Sequence, residues 1–137
     1  MKNTFYILLI TILIIFASCA GLSGVKQISQ NITGNWKFDS VTTKSNSNNS
    51  ELSTIFKEST LILLNDNTFS IKVSSFDRTG EWSLGKGGKL LILAFDDTKN
   101  TNKRLKTFSI VSNTAEILII KYEEEADEIV ITFKKTE

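Results

Sequence analysis

The chain of 137 residues lacks histidine and proline and contains a single cysteine. Without histidine, and with one cysteine, one chain cannot assemble a Ser-His-Asp triad, a Cys-His nucleophile pair or a zinc site built from those residues. Its formal net charge of +1 gives no electrostatic reason to expect nucleic-acid binding. We therefore expect a protein that is not an enzyme and that uses no metal or cofactor.

The N-terminus has the layout of an export signal. One lysine precedes an apolar run at residues 5–16 (FYILLITILIIF), and two small residues separate that run from Cys19. Twelve helical residues span about 18 Å, short of the roughly 30 Å hydrocarbon core of a bilayer. We predict a cleaved signal peptide at residues 1–18. An uncleaved membrane anchor that continues through Leu22 is the alternative.

The residues around the cysteine are similar to a known processing site. Phe16-Ala17-Ser18-Cys19 resembles the lipobox of bacterial lipoproteins. The resemblance implies cleavage before Cys19, diacylglycerol on its thiol and a further acyl chain on the new amine. Two or more chains hold a protein stably on a membrane. The alternative is an incidental cysteine within a discarded signal. With lipidation, the polar residues 19–31 are predicted to form a flexible tether.

The remainder, residues 32–137, is predicted to be one all-β domain. Alternation of apolar and polar residues, bounded by Asn, Asp, Ser and Gly turns, indicates strands. The predicted strands are residues 34–43, 59–64, 68–74, 80–84, 89–95, 103–112, 115–122 and 128–135, with a short helical turn within 52–58. Short connections predict an eight-stranded antiparallel up-and-down (meander) barrel, whose closure removes exposed edges. A two-sheet sandwich is the alternative.

Five short motifs carry a resemblance to a family. Gly34-Asn35-Trp36 looks like the G-x-W motif of lipocalins, which are eight-stranded barrels that bind small apolar molecules. Together with the lipobox, three further segments resemble the lipocalin-like lipoproteins of the Bacteroidota: Thr68 to Ser70, Gly80-Glu81-Trp82, and Lys89-Leu90-Leu91. The resemblance implies a lipocalin-like barrel in which Gly34 and Trp36 form the barrel-closing motif.

The resemblance also bears on the barrel floor and on location. In lipocalins that tryptophan closes the floor, often against an arginine of the last strand, and here this strand offers Lys134 and Lys135. Surface-exposed lipoproteins of Bacteroidota often carry an acidic run after the lipidated cysteine. This chain has none after Cys19, so we expect an outer-membrane protein that faces the periplasm.

Large apolar side chains at inward strand positions are the candidate ligand contacts. These are Trp36, Phe38, Phe69, Ile71, Trp82, Phe108 and Phe133. The alternative is that they fill the core, which is the usual role of inward aromatic residues. The sequence thus leaves two functions open. One is a module that binds a small hydrophobic or amphipathic molecule, and the other is a non-catalytic interaction or structural module of the outer membrane with a filled barrel and an envelope protein as partner.

Three strands are apolar on both faces, at residues 61–64, 90–93 and 117–120. A solvated barrel wall is expected to be polar outside, so we expect residues 52–56, a partner protein or the membrane surface to cover it. The alternative is that scattered exposed Leu and Ile residues need no cover. Two acidic segments, 96–100 and 123–128, lack the spacing of a calcium loop and are predicted to be solvated turns.

Overall fold

The computed structural model describes residues 31–45, 48–96, 103–124 and 127–137. Cys19, the rest of the lipobox and nearly all of the predicted tether lie outside these residues, so the lipidation of Cys19 and the division at residue 18 stay predictions. Within the described ranges, no helix has both the length and the apolar character needed to cross a bilayer.

The described part of the chain forms a closed antiparallel barrel. Its elements are β1 (Gly34–Thr43), helix α1 (Asn49–Phe56), β2 (Thr60–Leu63), β3 (Thr68–Val73), β4 (Phe76–Gly85), β5 (Leu90–Phe95), β6 (Arg104–Asn113), β7 (Ile117–Glu124) and β8 (Asp127–Thr136). Each strand pairs with its neighbours in sequence, and β1 pairs with β8. The predicted eight-stranded meander barrel is confirmed. The sandwich alternative is wrong, because all eight strands belong to one closed sheet.

Two element boundaries differ from the predicted ones by three residues or more. Strand β4 begins at Phe76, four residues before the predicted start, because residues 76–79 continue the ladder with β3 after a turn in which Ser74 has φ 52°. Helix α1 begins at Asn49 rather than Leu52. Residues 76–79 (Phe76-Asp77-Arg78-Thr79) are mostly polar and do not alternate. Pairing with β3 therefore extends β4 where the local sequence has no strand signal.

The barrel has two unlike ends. At the end where β1 begins and β8 finishes, large buried side chains fill the interior and close it. This set includes Ile32, Trp36, Leu63, Leu91 and Leu118, each at most 1% exposed. We call this the closed end. The opposite end, where β3 finishes and β6 begins, is called the mouth.

Helix α1 occupies a gap in the wall between β1 and β2. These strands pair only from Gly34 to Lys37, so the second half of β1 pairs with β8 alone. Along the second half of β1, α1 packs against the strand. The ring of Phe56 in α1 stacks on the ring of Phe38, with centroids 5.7 Å apart. The Oδ1 atom of Asn49 accepts hydrogen bonds from the backbone N–H (2.7 Å) and hydroxyl (3.0 Å) of Thr43. The helix is thus fastened to the strand that it follows.

The ladder between β6 and β7 stops short of the mouth. Their register runs from Asn113↔Leu118 to Ser109↔Lys121, and no pair joins residues 104–108 to residues 122–124. The mouth half of β6 pairs with β5, and the mouth half of β7 pairs with β8. The two strands therefore separate at the mouth, and their side chains meet there without a backbone ladder.

The outer face of the described strands carries isoleucines whose cross-strand neighbours are polar. Polar residues on both neighbouring strands flank the outward isoleucines: Asn35 and Ser70 beside Ile62, Ser83 and Thr107 beside Ile92, and Ser112 and Thr132 beside Ile119. The expectation that residues 52–56 cover these strands is wrong, because α1 packs on β1 and on the core. Cross-strand neighbours make the outer face polar enough for solvent contact.

Candidate functional site

The G-x-W segment at the start of β1 seals the closed end. Trp36 is 1% exposed, and its Nε1 donates a hydrogen bond of 2.7 Å to the carbonyl of Ile32. The ammonium group of Lys135 lies 5.0 Å from the centre of the Trp36 rings, in cation–π geometry. The last-strand side chain over this tryptophan is thus a lysine, Lys135 of β8.

A glycine is needed two residues before this tryptophan. Gly34 has φ 136°, a backbone conformation that other residues rarely adopt. A Cβ atom at this position would also overlap the side chain of Lys135. The glycine therefore leaves the space in which Lys135 reaches across to Trp36, and this gives the barrel-closing motif a physical basis.

A second Gly-x-Trp segment repeats the arrangement on β4. The Nε1 of Trp82 donates to the carbonyl of Leu64 at 2.9 Å, so its polar atom is satisfied within the core. A Cβ atom on Gly80 would overlap the backbone carbonyl of Ala94 and come within 2.8 Å of the Phe69 ring. Gly80 thus allows β5 and Phe69 to pack closely beside the tryptophan.

An apolar cavity of about 220 Å³ occupies the mouth half of the barrel. Its walls are side chains from α1, from the segment that follows it and from seven of the strands, β2 to β8. The lining residues are Phe56, Ser59, Thr60, Leu61, Ile71, Val73, Phe76, Leu93, Phe95, Lys106, Phe108, Ile120, Tyr122, Ile131 and Phe133. Among these described residues, Lys106 is the one with a charged side chain.

The structure divides the seven candidate ligand contacts into two groups. Ile71, Phe108 and Phe133 line the cavity. Trp36, Phe38, Phe69 and Trp82 lie behind it or at the closed end, where they pack as core. Phe38 stacks on Phe56, and Phe69 meets Phe95 edge to face with ring centroids 5.2 Å apart. These two residues therefore support rings that face the cavity.

Several lining residues were absent from the predicted set although the strand period points to them. Val73, Phe95 and Tyr122 each lie two residues from another lining residue on the same strand, and so does Lys106, two residues before Phe108. Side chains two apart share a face, so the period of two places all four inside. Phe56 has no such signal, because its position depends on how α1 packs against β1.

Lys106 and Tyr122 meet across the separation of β6 and β7. The Lys106 Nζ lies 4.3 Å from the centroid of the Tyr122 ring and 5.9 Å from that of Phe108. Phe108 and Tyr122 are themselves in edge-to-face contact at 5.5 Å. Burial, the negative charge of Glu124 and a hydrogen bond to Glu124 raise the pKa of the Tyr122 hydroxyl to about 12. The phenol is therefore neutral at pH 7.

Ser59 contributes an unsatisfied polar atom beside the cavity. The residue is 1% exposed, and its Oγ has no hydrogen-bond partner among the described residues. Its backbone is engaged, since its N–H donates to the Phe56 carbonyl and its own carbonyl accepts from the Phe38 N–H. A buried hydroxyl without a partner costs about 1–3 kcal/mol. A polar atom within the cavity would recover part of that cost.

A groove outside the mouth continues from the cavity. Phe76, Phe95 and Lys106 belong to both, and the groove adds charged residues of β4, β6 and the end of β5. These are Asp77, Arg78, Asp96 and Arg104. The Arg78 guanidinium lies 4.8 Å from the Phe76 ring centroid. With Lys106 included, three cations and two carboxylates line the groove.

Two described residues of the acidic segment at 123–128, Asp127 and Glu128, are engaged in structural contacts. Asp127 accepts hydrogen bonds from the hydroxyl and N–H of Ser45, and these bonds lower the pKa of its carboxyl. Glu128 forms an ion pair of 2.7 Å with Lys121. Across the described ranges, no three Asp, Glu, Cys or His side chains form a group able to hold a metal ion.

Two distant neighbours are among the solved structures that resemble this chain. A lipocalin-like protein from Bacteroides uniformis is 12% identical with a TM-score of 0.48, and the match covers 77% of this chain and 99% of that one. A DUF4847 family protein from Bacteroides vulgatus is 13% identical with a TM-score of 0.50, covering 78% of this chain and 96% of that one. The second likeness shows a shared fold.

At such low identity the likeness concerns the fold alone, and function has to be argued from the site. No protein-family model matches the sequence, and none of the curated proteins does.

Proposed function

We propose that this protein is a non-catalytic, lipid-anchored lipoprotein of the bacterial cell envelope whose barrel binds one small hydrophobic or amphipathic molecule. The observation that carries the proposal is the apolar cavity of about 220 Å³ in the mouth half of the barrel. A cavity of about 150 Å³ lined by apolar side chains holds benzene, so this one has room for roughly nine carbon atoms.

The proposed anchor agrees with the way in which the chain reaches the barrel. Ile32 is buried beside Trp36 at the closed end, so the described chain enters the barrel at that end. A lipid on Cys19 would therefore attach the barrel through the strand that begins at its closed end. We place the protein at the outer membrane, on the periplasmic side, because the sequence has no acidic run after Cys19.

The alternative, an interaction or structural module with a filled barrel, has less support from the structure. It would bind its envelope partner through an apolar outer face, whereas polar neighbours interrupt the outward isoleucines. Its interior would also be packed throughout. The closed end fits that description, but the mouth half does not.

Native mass spectrometry of the full chain, extracted gently from the membranes of its own host, tests the proposal. We expect a mass that begins at Cys19 with acyl chains attached, and a second species that carries one small molecule. In a Val73→Phe variant the added ring occupies the cavity, so the small-molecule adduct should fall below about a tenth of its wild-type fraction, as for a loss of roughly 1.4 kcal/mol in binding.

The matched control is Val111→Phe, which adds the same ring on β6 at a side chain that is 55% exposed. It should keep the adduct. A wild-type protein that carries no adduct, or an adduct that survives Val73→Phe unchanged, would contradict binding in the cavity. An unmodified Cys19 in the membrane-extracted chain would contradict the anchor.

A further inference from the structure

We propose that the cavity selects a single-chain amphiphile with an anionic headgroup, and that the ammonium group of Lys106 binds that headgroup at the mouth. This inference rests on the proposed function, since it names the chemical class of ligand for the same cavity. Among the described lining residues, Lys106 carries the only charge, and every other lining side chain is apolar or neutral.

Lys106 differs from three other lysines of the barrel in what it contacts. Lys103, Lys121 and Lys134 each pair with a carboxylate at 2.7 Å. In the described part of the chain, Lys106 makes no ion pair, and its ammonium group lies over the Tyr122 and Phe108 rings instead. Cation–π contact at an exposed site is weak, so a carboxylate that enters the mouth offers this ammonium a stronger, charge-assisted partner.

The carboxylates near the mouth have other groups to interact with, so the Lys106 ammonium remains available to a ligand. Glu124 accepts a hydrogen bond from the hydroxyl of Tyr122. In the outer groove, the guanidinium groups of Arg78 and Arg104 match the carboxylates of Asp77 and Asp96 in number. The Lys106 ammonium, which makes no ion pair among the described residues, is therefore the cation that an entering carboxylate meets at the cavity. A cationic headgroup would be repelled by that ammonium.

The charged headgroup and the apolar chain of the ligand would occupy different parts of the mouth half. Lys106 is exposed at the mouth, so a headgroup bound there stays partly hydrated. The apolar chain extends inward between Ile71, Leu93 and Ile131. Because β6 and β7 do not pair at residues 104–108 and 122–124, the side chains at this point can move apart without breaking ladder hydrogen bonds. The separation gives the ligand a route past Lys106.

Calorimetric titration of the full chain in phosphatidylcholine nanodiscs tests the inference, with empty nanodiscs subtracted. The probes are octanoate, 1-octanol and octylammonium, which share an eight-carbon chain and differ in headgroup charge. We expect octanoate to bind at least about tenfold more tightly than octanol, equivalent to roughly 1.4 kcal/mol, and octylammonium to bind most weakly.

Lys106→Met keeps an aliphatic side chain and removes the charge, so it should reduce octanoate affinity to that of octanol. Lys106→Arg should retain the preference. The control Lys103→Met removes a cation of the same strand region that is paired with Glu81, and it should leave octanoate affinity unchanged within about twofold. Circular dichroism before each titration verifies that every variant is folded.

The outcomes separate this inference from the proposed function. Equal binding of octanoate and octanol by the wild-type chain would overturn the anionic preference and leave the cavity as a neutral binding site. If Lys103→Met and Lys106→Met reduced octanoate affinity equally, the preference would be due to the general positive charge of the surface and not to Lys106. Failure of all three probes to bind would count against the proposed function itself.

Discussion

The ring and the hydroxyl of Tyr122 lie in two different environments. Its ring packs against Phe108 and under the Lys106 ammonium group, while its hydroxyl donates to Glu124. Burial disfavours the phenolate, and the negative charge of Glu124 disfavours it further. The neutral phenol is therefore the form that the native mouth accommodates.

The pKa of Tyr122 should be visible in an alkaline absorbance titration. The chain has two tyrosines, Tyr6 and Tyr122, so the difference between wild type and Tyr122→Phe isolates the second. We expect this difference curve to have a midpoint at about 12 rather than the ordinary value near 10. Because the folded-state pKa is raised, the contribution of Tyr122 to stability is complete below pH 10 and is lost as pH rises toward 12. A difference midpoint near 10 would contradict the buried, Glu124-bonded geometry.

At the scale of elements, α1 acts as part of the barrel wall. It fills the opening left where β1 and β2 cease to pair, and it contributes Leu52 and Phe56 to the packing of the core. No apolar strand pattern marks this region, and the helix itself has no buried residue. Its position is set by the stacking of Phe56 on Phe38 and by the hydrogen bonds from Thr43 to Asn49.

Asn49→Ala should loosen this helix and destabilise the protein by about 1–3 kcal/mol, because it leaves the N–H of the buried Thr43 without its acceptor. Urea unfolding followed by tryptophan fluorescence measures the change. Asn48→Ala is the control, since Asn48 precedes the helix and makes no side-chain capping bond. It should alter the unfolding free energy by less than about 0.5 kcal/mol. Equal effects of the two substitutions would show that the contact with Thr43 is not what fixes α1.

For the whole molecule, the barrel combines a filled closed end with a hollow mouth half. The two Gly-x-Trp segments and the buried leucines close one end, whereas the cavity and the separation of β6 from β7 lie toward the other. Strand segments that pair on one side have fewer ladder hydrogen bonds to break on local opening. The mouth halves of β6 and β7 should therefore open more readily than the rest of the wall.

Hydrogen exchange followed by mass spectrometry should show this difference. Peptides that cover residues 104–108 and 122–124 should exchange about tenfold faster than those over residues 109–113 and 117–121. Residues 69–72 of β3 are the internal control, because they pair with both β2 and β4 and should exchange slowly. Uniform protection along β6 and β7 would mean that the wall is held shut at the mouth.

The strand periods and turn residues of this sequence are sufficient to predict eight strands, their order and the closed meander. Alternation decides which face of each strand is buried, and short connections make neighbouring strands pair. The same period places Lys106 on the inner face with Phe108, although charged inward positions are easily overlooked among aromatic ones. The closing role of Gly34 and Trp36 was implied by the resemblance to lipocalins, and Trp36 is buried at the closed end.

Tertiary structure alone decided which inward residues fill the barrel and which line a cavity. Trp36 and Phe133 look alike in the sequence, as large aromatic residues at inward positions, yet the first seals the closed end and the second faces the cavity. The difference depends on distances across the barrel, on where α1 packs, and on where β6 and β7 separate. All three depend on many contacts between residues far apart in the chain, and no local sequence pattern encodes them. The sequence by itself determined the barrel, and packing across its interior determined the cavity.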